Sequence, residues 1–393
     1  MKLVWTGGDC WPNPMQELVL RAALLQGQAA RDAWQQFCDR DGLDNLDHGC
    51  YRTLPMVYHN LSRQAPDHPL LGMLRGVHRR AWYENKALFR RAAPLLDSLR
   101  QAGIPLLLLK GAPLAILYYS DLGLRPMQDL DVMVPEDRAA QAIGLLEARG
   151  FARLTPSPPR ISPEFLRFRH SIGFRHPELG ELDLHWHLTW QACYPGADEP
   201  FWRAAVPLDF EGVPVLALCP TDQLFHAMVH GVFFNEVPPM RWVTDAFHVI
   251  RSGAEIDWDR WLATGRRLRA MLPLRDSLQY LVEKFGAPAP PAILDALRAW
   301  RPSRAERLSH ERSVDPQRLQ GPVDTCLAHW HAHASSHRDR NLIVRLLGLP
   351  TFLSFYWSSE GRSLGLLSGT LRWLRRRFQV VRNCYLRMPN MPE

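Results

Sequence analysis

Three aspartates carry the strongest chemical signal in this 393-residue sequence. Asp129 and Asp131 are two positions apart in QDLDVMVP, which alternates polar and apolar residues as a half-buried strand does. Both carboxylates then point to one face, where each raises the other's pKa unless a cation lies between them. Mg²⁺ prefers oxygen ligands and commonly binds one or two carboxylates together with substrate phosphates. The spacing predicts a divalent-metal site, although a DxD pair alone is also common on protein surfaces.

Asp183 is the predicted third carboxylate of this site. It lies in ELDLHWHL, the second of two alternating runs around the tetrapeptide PELG, which is typical of a β-hairpin. His185 shares its face of that strand. If the hairpin lies beside the DxD strand, Asp183 completes a triad of the kind that holds two metal ions about 3.5–4 Å apart for displacement at phosphorus. Asp183 would then serve as the base and as a metal ligand on the hydroxyl side.

Lys110 and Gly111 are the predicted phosphate contacts. GIPLLLLKG is typical of a turn followed by a short buried strand, and a helix is predicted from Pro113 to Tyr119. The start of that helix offers unpaired N–H groups, the glycine lets a phosphate approach, and the lysine adds a positive charge. Arg125, in the turn before the DxD strand, is predicted either to pair with one of the DxD carboxylates or to clamp a triphosphate.

The surrounding pattern predicts an α+β protein in four parts. Apolar residues recur at helical spacing before and after a central region in which short strands alternate with helices. The predicted parts are a helical N-terminal region (1–100), a core of short strands and helices (101–215), a second helical region (216–300) and a basic helical C-terminal region (301–393).

The first predicted helix after the core carries two histidines. TDQLFHAMVHGVFF is expected to begin at a cap formed by Thr221 or Asp222. His226 and His230 are four residues apart and share one helical face. Since no third metal ligand is evident, we expect them to pack or to contact an acceptor substrate. The candidate acceptor contacts are His185, His226, His230, Arg241 and Asp245.

These motifs together resemble the uncharacterised bacterial nucleotidyltransferase family of the polymerase-β superfamily. The resemblance covers roughly residues 95–250 and rests on LLLLKGAPLAILYYSDLGLRPMQDLDVMVPEDRAAQAIGLLEARGF followed by ELDLHWHL. The family pattern is a KG turn, a Y…G.RP..D.D stretch and a later acid-x-His-Trp element. In this chain these are Lys110-Gly111, Tyr118, Gly123-Leu124-Arg125-Pro126, Asp129 with Asp131, and Asp183-Leu184-His185-Trp186.

The resemblance implies a polymerase-β-like core, a mixed β-sheet with helices, and an enzymatic function. It implies transfer of a nucleoside monophosphate from an NTP to a hydroxyl or phosphate of a small-molecule or peptide acceptor, with Mg²⁺ (Mn²⁺ is the alternative) and with a biosynthetic pathway as the expected setting. It also implies that the helical region 216–300 closes over the active site. ATP is among the expected donors. Ala112 follows Gly111 where other superfamily members have serine. A non-catalytic nucleotide-binding protein therefore remains an alternative.

Charge is concentrated at the end of the chain. The net charge is +7, and residues 301–393 hold 15 arginines against seven acidic residues. This basic segment supports a third hypothesis, after the nucleotidyltransferase with a small acceptor and the non-catalytic binding protein. In this hypothesis the protein is an enzyme that adds nucleotides to RNA 3′ ends. No nucleic-acid-binding module is recognisable, so nucleic acid is not an expected partner.

The tail segment TLRWLRRRFQVVRN is predicted to pack as a terminal helix or to bind an anionic surface. His329, His333 and His337 fit a transition-metal site or a solvated helix face.

Composition predicts a cytoplasmic location. The seven cysteines are scattered without a CxxC pair, which favours free thiols in a reducing compartment. No secretory signal is recognisable at the N-terminus, and no apolar run reaches the ~18–20 residues of a membrane span. Only four of the 47 basic residues are lysines, a composition that hints at a GC-rich bacterial genome. The sequence leaves the oligomeric state open.

Overall fold

The computed structural model describes residues 10–40, 42–154, 161–232 and 240–304, together with positions 306, 307, 310, 311 and 330. The sequence predictions for the basic C-terminal segment, including the histidine stretch 329–337, fall almost entirely outside the described residues.

Four helices form the N-terminal part of the described chain. The first helix begins at a capping box, in which the Asn13 side chain accepts from the Gln16 backbone N–H and the Gln16 side chain accepts from the Asn13 backbone N–H. The second helix ends at Asp39, and the third begins at His48. The four helices are α1 (Pro14–Leu24), α2 (Gln28–Asp39), α3 (His48–Gln64) and α4 (Leu71–Gln101).

A seven-stranded mixed sheet forms the centre of the described chain. It confirms the predicted α+β class, and it contains the predicted DxD strand and both strands of the predicted hairpin. The strands are β1 (Leu107–Leu109), β2 (Asp129–Met133), β3 (Ala152–Arg153), β4 (Ser171–His176), β5 (Gly180–His185), β6 (Val206–Phe210) and β7 (Val213–Ala217).

The strand order is β3-β4-β5-β2-β1-β7-β6. Strand β2 runs parallel to β5 and antiparallel to β1, and β1 runs parallel to β7. The hairpin β6–β7 is missing from the sequence prediction. Its alternation is interrupted by Pro207 and Pro214, and proline within a run argues against a strand. The connecting residues Glu211 and Gly212 both have positive φ, as a two-residue hairpin turn requires.

The remaining helices pack on both sides of the sheet. Helix α5 begins two residues earlier than predicted, at Gly111. The predicted Thr221 or Asp222 cap is wrong, because the helix already begins at Pro220. Instead, Thr221 Oγ1 accepts a hydrogen bond from the Asp257 backbone N–H. These helices are α5 (Gly111–Leu117), α6 (Glu136–Ala148), α7 (Pro163–Phe168), α8 (Glu199–Ala204), α9 (Pro220–Val232), α10 (Met240–Arg251), α11 (Trp258–Arg267), α12 (Met271–Phe285) and α13 (Pro291–Ala299).

The two faces of the sheet belong to different apolar clusters. Leu108, Leu130 and Val132 point to one face and join a cluster with the second half of α4 and with α6. Their neighbours Leu109 and Met133 point to the opposite face and join the cluster formed by α1–α3 and α9–α13. Since residues alternate along a strand, the odd-numbered aspartates of β2 share this second face, which looks towards the C-terminal helices. None of the helices in the described part of the chain has the length and apolar character needed to cross a lipid bilayer.

Candidate active site

Strand register brings two of the three predicted aspartates side by side. Asp131 of β2 and Asp183 of β5 are direct partners in a parallel pair, so their carboxylates lie on the same face of the sheet. On the other side of β2, Leu109 is the partner of Asp131, and the next residue is Lys110. Gly173 of β4 faces Asp183, and a Cβ at that position would lie 3.0 Å from Asp183 Oδ1. The glycine leaves room for this carboxylate.

Asp131 is the centre of the polar contacts in this cluster. Lys110 Nζ donates to Asp131 Oδ1 over 2.6 Å, and His185 Nε2 lies 3.2 Å from the same oxygen. One ligand atom from each of Asp131, Asp183 and His185 lies within 4.8 Å of the others, close enough to share one metal ion. The sequence predicted His185 as an acceptor contact, whereas the structure places its ring against Asp131 beneath the cluster.

The three carboxylates share Lys110 as their neighbouring lysine, and burial and their mutual repulsion affect their pKa values differently. Burial raises the pKa of Asp131, but Lys110 and His185 outweigh burial and hold it well below its usual range. For Asp129, burial and then the neighbouring Asp131 charge raise the pKa to about 6. Burial and Asp131 also raise the pKa of Asp183. Additional positive charge at this position would therefore be stabilised by all three carboxylates.

The backbone of Lys110 adopts an uncommon conformation. Its φ is +48°, a value that residues other than glycine rarely take, and it lies directly at the start of α5. Such conformations cost on the order of 1–3 kcal/mol and persist where the surrounding structure enforces them. The strain coincides with the residue that places its ammonium group against Asp131.

Arg125 pairs with a residue 120 positions away and not with the DxD carboxylates. Its Nε and Nη2 atoms each donate over 2.8 Å to the two oxygens of Asp245 on α10. The Tyr119 hydroxyl donates to Asp245 Oδ1 over 2.7 Å. All three side chains are buried. The predicted pairing of Arg125 with Asp129 or Asp131 is therefore wrong in this state of the protein.

Asn85 of α4 fixes the loop that carries Arg125. Its amide group donates to the carbonyl oxygens of Leu122 and Arg125 over 2.6 and 2.9 Å, and its Oδ1 accepts from the Met127 backbone N–H over 3.0 Å. The side chain is fully buried. Sequence analysis missed this residue, but a signal was present, because Asn85 is a polar residue on the apolar stripe of a helix.

One cavity of about 280 Å³ collects ten of the eleven predicted site residues. His185 is the exception, because it is buried and does not line the cavity. The cavity separates the sheet from α9 and α10, and Gln223 and Trp242 also line it although the sequence did not single them out. The predicted residues in its wall are Lys110, Gly111, Arg125, Asp129, Asp131, Asp183, His226, His230, Arg241 and Asp245.

Helix α9 faces the carboxylates across the cavity with neutral polar groups. The rings of His226 and His230 lie 5.7 Å apart, which confirms their shared helical face. Burial, assisted by the charge of Lys110, lowers the pKa of His226 to about 3, so this imidazole is neutral at pH 7. Within the described residues, neither histidine belongs to a group of three metal ligands. Gly231 lets α9 contact α10, since a Cβ there would overlap the Trp242 side chain.

The solved structures that match the chain include two nucleotidyltransferase-like proteins of low similarity. An antigenic nucleotidyltransferase-like protein from Paracoccidioides brasiliensis is 17% identical, with a TM-score of 0.34, over 56% of this chain and 97% of that protein. The lincosamide antibiotic adenylyltransferase LnuA in its lincomycin-bound form is 14% identical, with a TM-score of 0.30, over 41% of this chain and 96% of that enzyme. No curated protein sequence matches the chain.

The family comparison covers most of the region just described. A family model described as an uncharacterised nucleotidyltransferase matches residues 51–286, more than half of the chain, from α3 to the end of α12. The match includes the strained lysine, the three aspartates, the Arg125–Asp245 pair and every residue that lines the cavity. The chain therefore belongs to this nucleotidyltransferase family and is a transferase.

Proposed function

We propose that the protein transfers a nucleoside monophosphate from an NTP to a hydroxyl or phosphate of a small-molecule or peptide acceptor, with Mg²⁺ or Mn²⁺. The observation that carries the proposal is the juxtaposition of Asp131 and Asp183 on neighbouring parallel strands, with Asp129 on the same face and a single lysine to balance them. Carboxylate clusters of this composition are typical of sites that transfer phosphorus-containing groups.

The donor set fits a hard divalent cation. Asp129, Asp131 and Asp183 offer carboxylate oxygens, and burial together with the neighbouring Asp131 charge raises the pKa values of Asp129 and Asp183. These three residues would hold the metal ion, and His185 would orient Asp131 through its bond to Oδ1. When bound, the metal would neutralise phosphate charge and bring donor and acceptor oxygens together.

The protein's own groups then have distinct roles. Asp183, whose pKa is raised, is the proposed acceptor of the proton that the attacking hydroxyl loses. Lys110 Nζ is the proposed phosphate contact and would exchange Asp131 Oδ1 for a phosphate oxygen. Arg125 would remain fixed by Asp245 and present its remaining nitrogen Nη1 next to Gly111, where a Cβ would lie only 3.1 Å away.

The size of the cavity favours a small acceptor. Its volume of about 280 Å³ is close to the lower end of the ~300–1,000 Å³ range of small-molecule sites. A neutral His226 and the exposed His230 on α9 are the proposed contacts to polar groups of the acceptor. A small molecule or an extended peptide side chain fits this space, whereas an RNA duplex does not.

The direct test is incubation of the purified full chain with each α-labelled NTP, Mg²⁺ and a metabolite and peptide extract. Labelled adducts and pyrophosphate release are expected with at least one NTP. The double variant Asp131→Asn with Asp183→Asn should abolish both products. A matched control, Asp295→Asn, changes an exposed carboxylate on α13 and should leave them unaltered. Product formation by the double variant would refute the proposal.

A second candidate, nucleotide binding without transfer, is favoured by one observation. The side chain of Ala112 is buried in the apolar cluster beneath the sheet and offers no hydroxyl to a phosphate. Equilibrium binding of an NTP analogue distinguishes the two functions. NTP affinity without pyrophosphate release, across a broad set of acceptors, would support this alternative.

A further inference from the structure

Two arginines beside the active-site cavity converge on one backbone carbonyl. Arg52 of α3 and Arg241 of α10 each donate through Nη2 to the Pro126 oxygen, over 2.7 and 3.1 Å. Throughout the described part of the chain, neither forms an ion pair. A single neutral carbonyl cannot balance two guanidinium charges, so this pair of cations has unused binding capacity.

The nearest carboxylate is already occupied. Asp245 lies one turn beyond Arg241 on α10, but its two oxygens accept from Arg125 and from Tyr119. Burial, only partly offset by the Asp245 charge, lowers the pKa of Arg241 to about 10. Among the described residues, this partly buried guanidinium has no carboxylate of its own, which is unusual because the protein interior penalises isolated charges.

Arg241 lies in the wall between two spaces. One is the 280 Å³ cavity that contains the three aspartates. The other is a side pocket of about 20 Å³, lined by Arg52, Thr53, Thr244 and other residues, and Arg125 and Arg241 line both spaces. A cavity needs roughly 10–15 Å³ by this measure to hold one water. The side pocket therefore has room for an oxygen atom of a phosphate or carboxylate but not for a nucleobase.

We propose that Arg241 and Arg52 form an oxyanion subsite that binds a phosphate or carboxylate group of a substrate held in the main cavity. Guanidinium groups suit this role because their planar array of N–H donors matches the geometry of both oxyanions. The inference deepens the proposed nucleotidyl transfer and rests on it for the identity of the substrate. The oxyanion has two sources, the terminal phosphates of the NTP or an acidic group on the acceptor.

The test is calorimetric titration of the full chain with inorganic pyrophosphate in the presence of EDTA, so that no metal carries the probe. Arg241→Gln and Arg52→Gln should each weaken binding at least tenfold and reduce its dependence on salt. The control Arg298→Gln removes an arginine from an exposed ion pair on α13 and should bind as the unaltered chain does. Unchanged affinity in a folded Arg241→Gln variant would overturn the subsite.

A second measurement covers variants that fail to fold. The unaltered chain is treated with phenylglyoxal with and without pyrophosphate, and modified arginines are located by mass spectrometry. Pyrophosphate should protect Arg52 and Arg241 but not Arg298. Equal modification of all three arginines with and without the probe would count against the subsite.

Titrations with ATP and AMP separate the two sources of the oxyanion. If Arg241→Gln weakens the binding of ATP but not the binding of AMP, the subsite holds the terminal phosphates of the NTP. If it weakens pyrophosphate while ATP affinity stays unchanged, the subsite serves the acceptor. The double variant Asp131→Asn with Asp183→Asn should still bind pyrophosphate, so failure of nucleotidyl transfer is distinguishable from failure of the subsite.

Discussion

Two ion pairs line the same cavity, and they differ in how completely their charges are balanced. Arg125 and Asp245 form a bidentate pair at 2.8 Å, and Tyr119 supplies a third hydrogen bond. Lys110 and Asp131 make one contact at 2.6 Å. The first pair balances one cation with one carboxylate. The second leaves Asp129 and Asp183 with no cation of their own.

On the proposed function, the first pair is a structural contact and the second belongs to the ligand site. Asp245 has partners on both oxygens, so nothing is gained by offering it another cation. Asp131 shares its lysine with two further carboxylates, whose pKa values are raised by burial and by the charge of Asp131. Electrostatic imbalance of this kind concentrates at functional sites. The four variants below test the contrast, from the largest expected effect to the smallest.

Asp131→Asn should reduce nucleotidyl transfer on the order of 10³-fold, equivalent to about 4 kcal/mol of activation free energy. The free energy of unfolding of this variant should change by no more than about 1 kcal/mol, because the carboxylates of Asp129 and Asp183 still balance the charge of Lys110. Single-turnover transfer and urea denaturation measure the two quantities. Retained activity would place the chemistry elsewhere in the cavity.

Asp245→Asn should lower the free energy of unfolding by about 3 kcal/mol, because it leaves the Arg125 guanidinium buried without a counterion. The control Asp295→Asn breaks an exposed pair with Arg298 and should cost no more than about 0.5 kcal/mol. Urea denaturation of both variants provides the measurement. Equal destabilisation by Asp245→Asn and Asp131→Asn would remove the distinction between the two pairs.

His226→Gln should lessen acid destabilisation by about 2 kcal/mol at pH 5. The folded-state pKa of His226 is about 3, below the ordinary 6.5, so the unfolded chain takes up a proton first as the pH falls through 6.5. Stability is therefore lost on acidification in the unaltered chain and less so in the variant. Urea denaturation at pH 7.5 and pH 5 gives the difference, with the exposed His48→Gln as control. A common pH dependence in all three proteins would contradict it.

Gly111→Ala should destabilise the protein by about 1 kcal/mol, because the new Cβ would lie 2.8 Å from Met127 Sδ and 3.1 Å from Arg125 Nη1. Gly144→Ala is the matched control, since a Cβ on that helical glycine meets nothing within 4 Å. The control should be stabilised by up to about 1 kcal/mol, the usual preference of a helix for alanine over glycine. Thermal denaturation of both variants measures the change in stability and shows whether Arg125 can be displaced by the new Cβ without a loss of stability.

The sequence by itself determined the local elements and their chemical content. The alternation in QDLDVMVP and ELDLHWHL identified β2 and β5, and the same parity placed the acidic residues on one face of each strand. The order of the KG turn, the GLRP loop and the DxD strand identified the family that the comparison with residues 51–286 confirms. These features are readable because they depend on neighbours a few residues apart.

Tertiary structure alone decided which distant groups meet. The parallel register of β2 and β5 places Asp131 beside Asp183, and Arg125 pairs with Asp245, which lies 120 residues later in the chain. Spacing carries no information on such pairings, because loop lengths and helix packing set them. The Asn85 contacts to the GLRP loop and the Arg52–Arg241 pair likewise depend on how α3, α4 and α10 pack around the sheet. The hairpin β6–β7 was missed for a local reason, because its prolines interrupt the alternation. The sequence supplied the charged groups, and the packing of these elements determined which of them were neutralised and which remained free to bind a substrate.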